Sequence, residues 1–295
     1  MDPIRTALVT GATSGLGRAT AGLLAATPGW RVLIGVRDPV RGRAVAAELG
    51  PDTGVVDLDL ASSASVRSAA AEVAAQVAAG SRPVDVLVLN AGLQVPRADR
   101  ASADGYELTF AVNHLGNYLL TRLLLPHLAP GGRVVVVGSG THFGTLRKSG
   151  PFPRPSWDSP RALATPRDGS GQRAYATSKL ATVYFARELA RRCPGIDVAV
   201  FDPGLLPATG LARAYPAPVR AAYRALTPLL ERLPGAQTPE RAAAQLAALV
   251  TGPDGTGGRY VERGTEVPSS PESLDPARAR ELWDVSAELV GLAAR

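Results

Sequence analysis

The sequence has a single cysteine, Cys193, among its 295 residues, which excludes an internal disulfide bond. Its three histidines, His114, His127 and His142, are scattered, and no cluster of Cys and His has the spacing of a metal site. No apolar run reaches the roughly 18 residues that span a bilayer. Residues 1–5 lead into a glycine turn without the apolar core and cleavage site of a signal peptide. We therefore expect a cytoplasmic protein with no metal and no membrane span.

Lysine is almost missing as well, because 30 of the 32 basic residues are arginine. In a chain so rich in Ala, Gly and Pro, the two lysines that remain, Lys148 and Lys179, are candidates for a specific role. The net charge is +6, but it is spread along the chain and forms no basic tract. A dispersed excess of this kind usually aids solubility, so we expect no nucleic-acid partner.

Short, continuous apolar runs alternate with Ala- and Leu-rich helical patterns along most of the chain. The predicted strands are 6–10, 31–36, 54–60, 84–89, 132–137 and 197–201, with 257–261 as an edge strand. The predicted helices are 18–26, 40–49, 65–79, 106–128, 174–192, 239–251 and 277–293. Continuous apolar strands indicate a parallel sheet that is covered on both faces. The pattern predicts an α/β, doubly wound parallel sheet (a Rossmann fold) in a single domain, 1–295.

Two segments interrupt this pattern. Residues 140–173 contain five closely spaced prolines, which predicts a long surface loop without helix or sheet. Residues 205–237 are predicted to form short helices broken by proline. We expect these two insertions to build the substrate pocket and to favour a lipophilic small molecule. The apolar and aromatic residues that suggest this are Phe143, Phe152, Trp157, Leu205, Leu206, Leu211, Tyr215 and Tyr223.

A glycine-rich turn follows the first strand and opens the first helix. Gly11, Gly15 and Gly17 let the backbone bend sharply and approach a pyrophosphate, whose charge the helix N-terminus favours. A tight strand–helix connection would also explain the glycines, but their place after the first strand favours a dinucleotide site. The turn supplies four further candidate cofactor contacts: Thr10, Thr13, Ser14 and Leu16.

The residue after the second strand indicates which dinucleotide binds. An acidic residue about 20 positions beyond the glycine turn would bind the ribose of NAD. The sequence has Arg37 there, and an arginine can hold a 2′-phosphate with its planar guanidinium. The alternative is a solvated arginine at a helix start, because Asp38 follows it. NADP(H) is therefore the favoured cofactor.

Further cofactor contacts are predicted where the third and fourth strands end. Asp59 could accept a hydrogen bond from the adenine amino group while Leu60 covers the ring, although Asp59 could also be a helix cap. Asn90, Ala91 and Gly92 end the fourth strand at the carboxyl edge, where ligands bind in open α/β sheets. Their small size permits close approach of a cofactor.

Tyr175 and Lys179 lie four residues apart on one helix face. With seven tyrosines and two lysines, this spacing arises by chance about 0.05 times in such a chain. An ammonium beside a phenol lowers the phenol's pKa toward the working range of a general acid or base. The alternative is an exposed polar pair on a helix surface.

Two more residues complete a candidate catalytic group. Ser139 ends the fifth strand, at the same edge, and its hydroxyl could hold a substrate carbonyl oxygen. Asn113 is unfavourable inside a long helix, which indicates a kink that could bind a water and relay protons to Lys179. Taken alone, Ser139 could be an ordinary serine in a turn, and Asn113 could be an ordinary surface asparagine.

In order and spacing these motifs resemble the short-chain dehydrogenase/reductase family. The resemblance rests on the glycine turn, Asn90-Ala91-Gly92, Asn113, Ser139, Tyr175-x-x-x-Lys179 and Pro203-Gly204. It implies that Asn113, Ser139, Tyr175 and Lys179 are catalytic and that Tyr175, Lys179, Pro203 and Gly204 contact the cofactor. Arg37 matches the NADP-preferring members. Segment 104–116 and the 36-residue step from Ser139 to Tyr175 are similar to the retinol-dehydrogenase-like branch.

Segments 203–213 and 282–292 are similar to light-dependent protochlorophyllide reductase, although Leu205 stands where that enzyme typically has a cysteine. By this similarity Thr209 would contact the cofactor. The favoured function is NADP(H)-dependent transfer of a hydride to or from a carbonyl or alcohol, with Tyr175 as general acid or base. Reduction of a C=C bond and a non-catalytic NADP-sensing module are the alternatives. Family members are often dimers, which suggests a homodimer, but the long insert leaves the oligomeric state open.

Overall fold

The computed structural model describes residues 4–207, 214–230, 232, 235–253, 255 and 257–293. One eight-stranded sheet forms its centre, and the strands lie side by side in the order 3-2-1-4-5-6-7-8. In chain order they are β1 (Arg5–Thr10), β2 (Trp30–Val36), β3 (Thr53–Asp57), β4 (Val84–Leu89), β5 (Leu128–Val137), β6 (Asp197–Asp202), β7 (Arg259–Glu262) and β8 (Thr265–Glu266). Neighbouring strands from β3 to β7 pair parallel, and β8 pairs antiparallel with β7. The predicted doubly wound parallel sheet is confirmed.

Helices cover both faces of the sheet. They are α1 (Gly15–Ala25), α2 (Pro39–Leu49), α3 (Ser63–Ala78), α4 (Leu108–Phe110), α5 (Gly116–Leu124), α6 (Leu146–Ser149), α7 (Pro160–Leu163), α8 (Gly171–Arg192), α9 (Ala217–Leu230), α10 (Pro239–Thr251) and α11 (Pro276–Leu289). One core cluster joins the sheet to α3, α5, α8 and α11, and a second joins it to α1, α2 and α10. Since both faces are buried, the strands need the continuous apolar runs that the sequence shows.

The C-terminal helix α11 packs on α8 and α5 through Trp283. Its side chain is only 2% exposed. Its ring stacks on Phe185 at 6.1 Å and meets the edge of Tyr118 at 5.0 Å. The guanidinium groups of Arg122 and Arg192 each lie 5.0 Å from the Trp283 ring. Within the described ranges, no helix combines the length and the apolarity that crossing a membrane requires.

Three predictions about the elements differ from the structure. Residues 259–262 form β7, which is not an edge strand because β8 pairs outside it. Segment 140–173 contains a 3-10 turn (Gly140–Phe143), α6 and α7, so the expectation of a loop without helix is wrong. Proline is compatible with the first turn of a helix, and Pro160 occupies that position in α7. Among the residues of segment 205–237 that the structure describes, a 14-residue helix, α9, stands where the sequence predicts short helices broken by proline.

Candidate active site at the carboxyl edge of the sheet

The glycine-rich turn between β1 and α1 packs directly on the segment that follows β4. Gly11 has a φ of +69°, and a Cβ there would lie 2.9 Å from Cα of Ala91. A Cβ on Gly17 would lie 2.3 Å from Nδ2 of Asn90. A larger side chain at either position would therefore clash with the protein itself, whether or not the turn holds a ligand.

Hydrogen bonds from Asn90 and Ala91 hold this turn in shape. Nδ2 of Asn90 donates to the Thr10 carbonyl oxygen at 2.9 Å, and the Ala91 N–H donates to Thr10 Oγ1 at 3.0 Å. Ser14, the N-cap of α1, is exposed, and its side chain forms no capping bond with any described residue. The first N–H groups of α1 thus lie in a turn that hydrogen bonds hold in place. The first turn of α1 has no acidic side chain, so these N–H groups are suited to bind a phosphate.

Arginines lie at the end of β2, beside the glycine turn. Arg37 follows the strand directly, and its side chain is exposed. Nη2 of Arg41 donates to the carbonyl oxygen of Thr13 at 3.2 Å, which places a cation against the turn. Asp38 accepts from the N–H groups of Val40 and Arg41 and thereby caps α2. Asp38 keeps its negative charge as a cap, but Arg37 and Arg41 outnumber it at this end of β2.

Asp59 and Leu60 lie beyond the end of β3, which stops at Asp57. Oδ1 of Asp59 accepts from the Ala61 N–H at 3.0 Å. Ser62 is the residue that caps α3, so the alternative interpretation of Asp59 as that cap is wrong. Leu60 is 7% exposed and belongs to the core. A contact of either residue with an adenine stays a prediction.

Tyr175, Lys179 and Ser139 meet at the carboxyl end of β5. Tyr175 and Lys179 are only 6% and 5% exposed, so the alternative of an exposed polar pair is wrong. Nζ of Lys179 donates to the Val137 carbonyl oxygen at 2.9 Å and lies 5.6 Å from the centre of the Tyr175 ring. The Ser139 side chain lies close enough to the Tyr175 hydroxyl to favour its phenolate form.

The pKa of Tyr175 is shifted in the direction opposite to the one that the sequence predicts. Burial raises the pKa of the Tyr175 hydroxyl above its ordinary value, although the nearby Ser139 side chain opposes the change. Burial also lowers the pKa of Lys179 to about 8. The predicted lowering of the Tyr175 pKa is therefore wrong, because loss of hydration penalises the phenolate more than its surroundings stabilise it. At neutral pH Tyr175 is a phenol, which is the form that donates a proton.

Asn113 lies in a π-helical turn, Ala111–Leu115, at the place where the sequence predicts a distorted helix. Its Oδ1 accepts from the Leu93 N–H at 2.8 Å, and its Nδ2 donates to the Leu93 carbonyl oxygen at 3.0 Å. A Cβ on Gly92 would lie 3.3 Å from Oδ1 of Asn113 and 3.7 Å from Nζ of Lys179. Gly92 thus lies close to both the Asn113 amide and the Lys179 ammonium. π-Helical turns of this kind are frequent at functional sites.

Sequence reasoning misses two residues beside the cluster. Nδ1 of His142 lies 2.8 Å from the Ser139 carbonyl oxygen, and its Nε2 accepts from the Ser270 N–H at 3.1 Å. Burial lowers the pKa of His142 to about 4, so the ring is neutral. Asp202 ends β6 with its side chain buried. The sequence features that could have indicated these two residues are a histidine three positions after Ser139 and an acidic residue at the end of an apolar strand.

The remaining predicted residues lie around the same edge. Pro203 and Gly204 follow β6, and Gly204 has a φ of +72°. Thr209, predicted to contact the cofactor, lies outside the described residues. The ring of Phe152, from the insert at 140–173, lies 5.8 Å from the ring of Tyr175. The insert therefore covers the tyrosine.

The comparisons with known proteins agree with this arrangement. Residues 5–148 match the family model described as short chain dehydrogenase. The chain is 36% identical to protochlorophyllide reductase B, chloroplastic, of Oryza sativa subsp. japonica, over 98% of this chain and 78% of that protein. It is 37% identical to retinol dehydrogenase 14 of Homo sapiens, over 98% of this chain and 87% of that protein. The chain belongs to the short-chain dehydrogenase/reductase family. The predicted similarity to both groups is confirmed, and the protein is an oxidoreductase of this family.

Solved structures of the family share the fold. A crystal structure of an uncharacterized protein from Mycobacterium paratuberculosis has a TM-score of 0.71 at 30% identity, and covers 99% of this chain and 96% of that one. A short chain dehydrogenase from Burkholderia cenocepacia J2315, solved in complex with NADP, has a TM-score of 0.62 at 29% identity. It covers 89% of this chain and 98% of that one.

Proposed function

We propose that this protein is an NADP(H)-dependent oxidoreductase that interconverts a carbonyl group and an alcohol on a lipophilic small molecule. The observation that carries the proposal is the meeting of Tyr175, Ser139 and Lys179 at one buried point on the carboxyl edge. A phenol close to a serine hydroxyl and a lysine ammonium is suited to exchange a proton with a substrate oxygen.

The glycine turn fits a dinucleotide. A methyl group on Gly11 or Gly17 would meet neighbouring atoms within 3 Å, and the N-terminus of α1 lies open to an anion. Arg37 and Arg41 favour a 2′-phosphate over a free ribose hydroxyl, and the Burkholderia relative binds NADP. When bound, the nicotinamide would supply the hydride in reduction or accept it in oxidation.

Each residue of the cluster would have its own role in the proton transfer. Ser139 Oγ would hold the substrate oxygen next to the Tyr175 hydroxyl, which gives up its proton during reduction. The ammonium of Lys179 would stabilise the phenolate that results, because opposite charges attract strongly in a buried site. Asn113 would hold the segment after β4 against α8, since its amide bonds both backbone groups of Leu93 and the Ser178 hydroxyl. His142 would fix the Ser139 turn through its carbonyl oxygen.

Exposed apolar side chains in the segment after β6 support a lipophilic substrate. Leu205, directly after the Pro203–Gly204 turn, is 42% exposed. Helix α9 presents Val219, Leu226 and Leu229 to solvent, and they are 47%, 50% and 59% exposed. Exposed large apolar side chains are thus concentrated in the segment that follows β6, and β6 itself ends at the carboxyl edge. Leu211 and the Tyr223 side chain lie outside the described part of the structure.

The experiment that tests the proposal compares the two nicotinamide cofactors in one assay. Purified protein is given NADPH or NADH with a panel of aliphatic, aromatic and terpenoid aldehydes and ketones, and cofactor absorbance at 340 nm is followed. We expect turnover of apolar carbonyl compounds with NADPH and a much lower rate with NADH. Turnover with NADH alone would refute the cofactor assignment, and binding of NADPH without turnover of any compound would favour a cofactor-sensing module.

A second candidate is reduction of a C=C bond in a large conjugated ring. It is supported by the 36% identity to protochlorophyllide reductase over nearly the whole chain. Leu205 argues against it, because that enzyme typically has a cysteine at this position. Protochlorophyllide reduced by this protein and NADPH under illumination, with no product in the dark, would establish the second candidate. The absence of product in the light, with activity on ketones, would establish the first.

A further inference from the structure

Helix α9 differs from the long helices that cover the sheet, because its side chains are not packed into a core. None of the α9 side chains that the structure describes is buried. By contrast, α10 has a similar length and buries Ala242, Ala243, Leu246 and Val250. A 14-residue helix is only marginally stable in water unless an apolar face packs against something. We therefore looked for the partner that this helix fits.

The large apolar side chains of α9 share one face. Val219, Leu226 and Leu229 are separated by seven and three residues, a spacing that places them on the same side of an α-helix. Each of the three is about half exposed. The helix is thus amphipathic, and its apolar face is turned to solvent.

Contacts at both ends keep α9 at the carboxyl edge of the sheet. Before the helix, the Tyr215 hydroxyl accepts from Nε2 of Gln94 at 2.7 Å, and Gln94 is only 5% exposed. After it, the Gly235 carbonyl oxygen accepts from the Leu205 N–H at 3.3 Å, and the Gln237 N–H donates to the Leu205 carbonyl oxygen at 2.9 Å. Gln94 follows β4 and Leu205 follows β6, so both attachments lie at this edge.

The charge of the segment has one sign. Between Asp202 and Glu231 the charged residues are Arg213, Arg220 and Arg224, and none is acidic. Basic residues beside a large apolar face are typical of helices that lie in the surface of an anionic membrane. A second copy of this chain fits less well, because pairing α9 with itself about a two-fold axis would bring like charges together.

Other exposed apolar residues lie at the same edge. Nine large apolar side chains of the described residues are exposed, and five of them belong to the segments that follow β5 and β6. Besides the four in 205–229, Leu146 of α6 is 82% exposed. α6 is tied to the turn after β5, because Oγ of Ser149 donates to the Gly140 carbonyl oxygen at 3.1 Å. The exposed Arg147 follows Leu146.

We propose that the carboxyl edge of the protein docks on an anionic lipid surface through α9. The helix lies in the plane of the membrane surface, with its leucines among the outer parts of the acyl chains and its arginines among the phosphate groups. The net charge of +6 attracts the whole chain to such a surface. This docking does not rest on the proposed function, although a membrane is a source of lipophilic substrates.

Vesicle sedimentation with the full chain tests the proposal. The wild type should bind vesicles of phosphatidylcholine mixed with phosphatidylglycerol, and bind vesicles of phosphatidylcholine alone about tenfold more weakly. Leu226→Glu/Leu229→Glu places two acidic side chains in the apolar face, so the affinity for mixed vesicles should fall by about tenfold or more. A wild type that does not sediment with mixed vesicles overturns the inference.

The matched apolar control is Leu23→Glu/Leu274→Glu. These two leucines are 41% and 48% exposed, and they lie in α1 and in the 3-10 turn Pro271–Leu274. The control adds the same negative charge as the α9 variant and should keep most of the affinity. Equal losses in the two double variants would show a general charge effect and overturn the role of α9.

The arginines are tested in the same way. Arg220→Gln/Arg224→Gln should weaken binding to mixed vesicles by about tenfold. Arg82→Gln/Arg280→Gln is the control, because it removes the same charge from exposed residues before β4 and on α11. Its effect should be clearly smaller, and an equal effect overturns the inference.

Hydrogen exchange locates the contact without any substitution. Mixed vesicles should slow exchange of the amides of 217–230 and leave those of α10 unchanged. Protection of another segment, with no change in α9, overturns the inference. A dimer that forms without lipid in sedimentation velocity, and that Leu226→Glu/Leu229→Glu dissociates, would assign the face to a second copy and also overturn it.

These measurements use neither cofactor nor substrate, so they are independent of the proposed function. Vesicle binding through α9 by a protein that turns over no carbonyl compound would leave this inference standing and refute the proposed function. Turnover of carbonyl compounds by a protein that binds no vesicles would do the reverse.

Discussion

Replacing Lys179 with methionine should make the protein more stable while it abolishes turnover. The ammonium is buried, and its pKa falls from 10.5 to about 8, mainly because burial removes its hydration. At 1.36 kcal/mol per pKa unit, the buried charge costs about 3 kcal/mol of folding free energy at neutral pH. Methionine has a similar length and no charge, but it loses the hydrogen bond to Val137, which is worth about 1 kcal/mol. The expected net gain is about 2 kcal/mol.

The stability difference between Lys179→Met and the wild type should change with pH, which a difference in packing alone would not produce. Below pH 8 the lysine is protonated in both the folded and unfolded states, so the full cost of burial is present. Between about pH 8 and 10.5 the folded protein releases the proton first, and the wild type gains stability as pH rises. The advantage of Lys179→Met should therefore shrink over this range and disappear near pH 10.

Equilibrium unfolding in urea, followed by tryptophan fluorescence at pH 7 and pH 9.5, measures both effects. Lys148→Met is the control, because that side chain is 36% exposed and forms a surface ion pair with Glu262. Its effect should stay below about 1 kcal/mol at both values. A Lys179→Met protein that is less stable than the wild type at pH 7, or an advantage that does not change with pH, would refute the reasoning.

Three further substitutions test other parts of the structure. Arg37→Ala should raise the Kd for NADPH by about tenfold or more and leave NADH unchanged in a fluorescence titration, and an equal loss for both cofactors would contradict the assignment. Gly17→Ala places a Cβ 2.3 Å from Nδ2 of Asn90, so both NADPH affinity and Tm should fall, whereas an unchanged Tm would contradict the close packing of the turn. Trp283→Ala should cost about 3–5 kcal/mol in denaturant unfolding, and a loss under 1 kcal/mol would show that α11 contributes little to the core.

The sheet could be predicted from the sequence because its strands are buried on both faces. In a strand such as Val84–Leu89 every position except Asp85 is buried, so its apolar residues mark the strand clearly. Helix ends are less clear. α8 begins at Gly171, three residues before the predicted start, because Ser170 caps it by accepting from the Arg173 N–H. A serine in a loop rich in Ser and Gly gives no strong signal of this role.

The insert and the protonation of the site could not be predicted, because both depend on tertiary contacts. α7 has only four residues, and it is held by burial of Leu163 against the core. The ring of Trp157 packs on Tyr184 at 4.7 Å, a contact that no local pattern encodes. The four-residue spacing of Tyr175 and Lys179 places both on one helix face. It does not reveal that both are almost fully buried, and burial decides the direction of each pKa shift.

The most direct test of the central claim is turnover by Tyr175→Phe. The substitution removes the hydroxyl that lies near Ser139 and keeps the ring that packs against Phe152. NADPH binding, measured by fluorescence, should be nearly unchanged, and kcat for reduction of a ketone substrate should fall by roughly 100-fold or more. A Tyr175→Phe protein that binds NADPH and retains full turnover would contradict the assignment of Tyr175 as the proton donor.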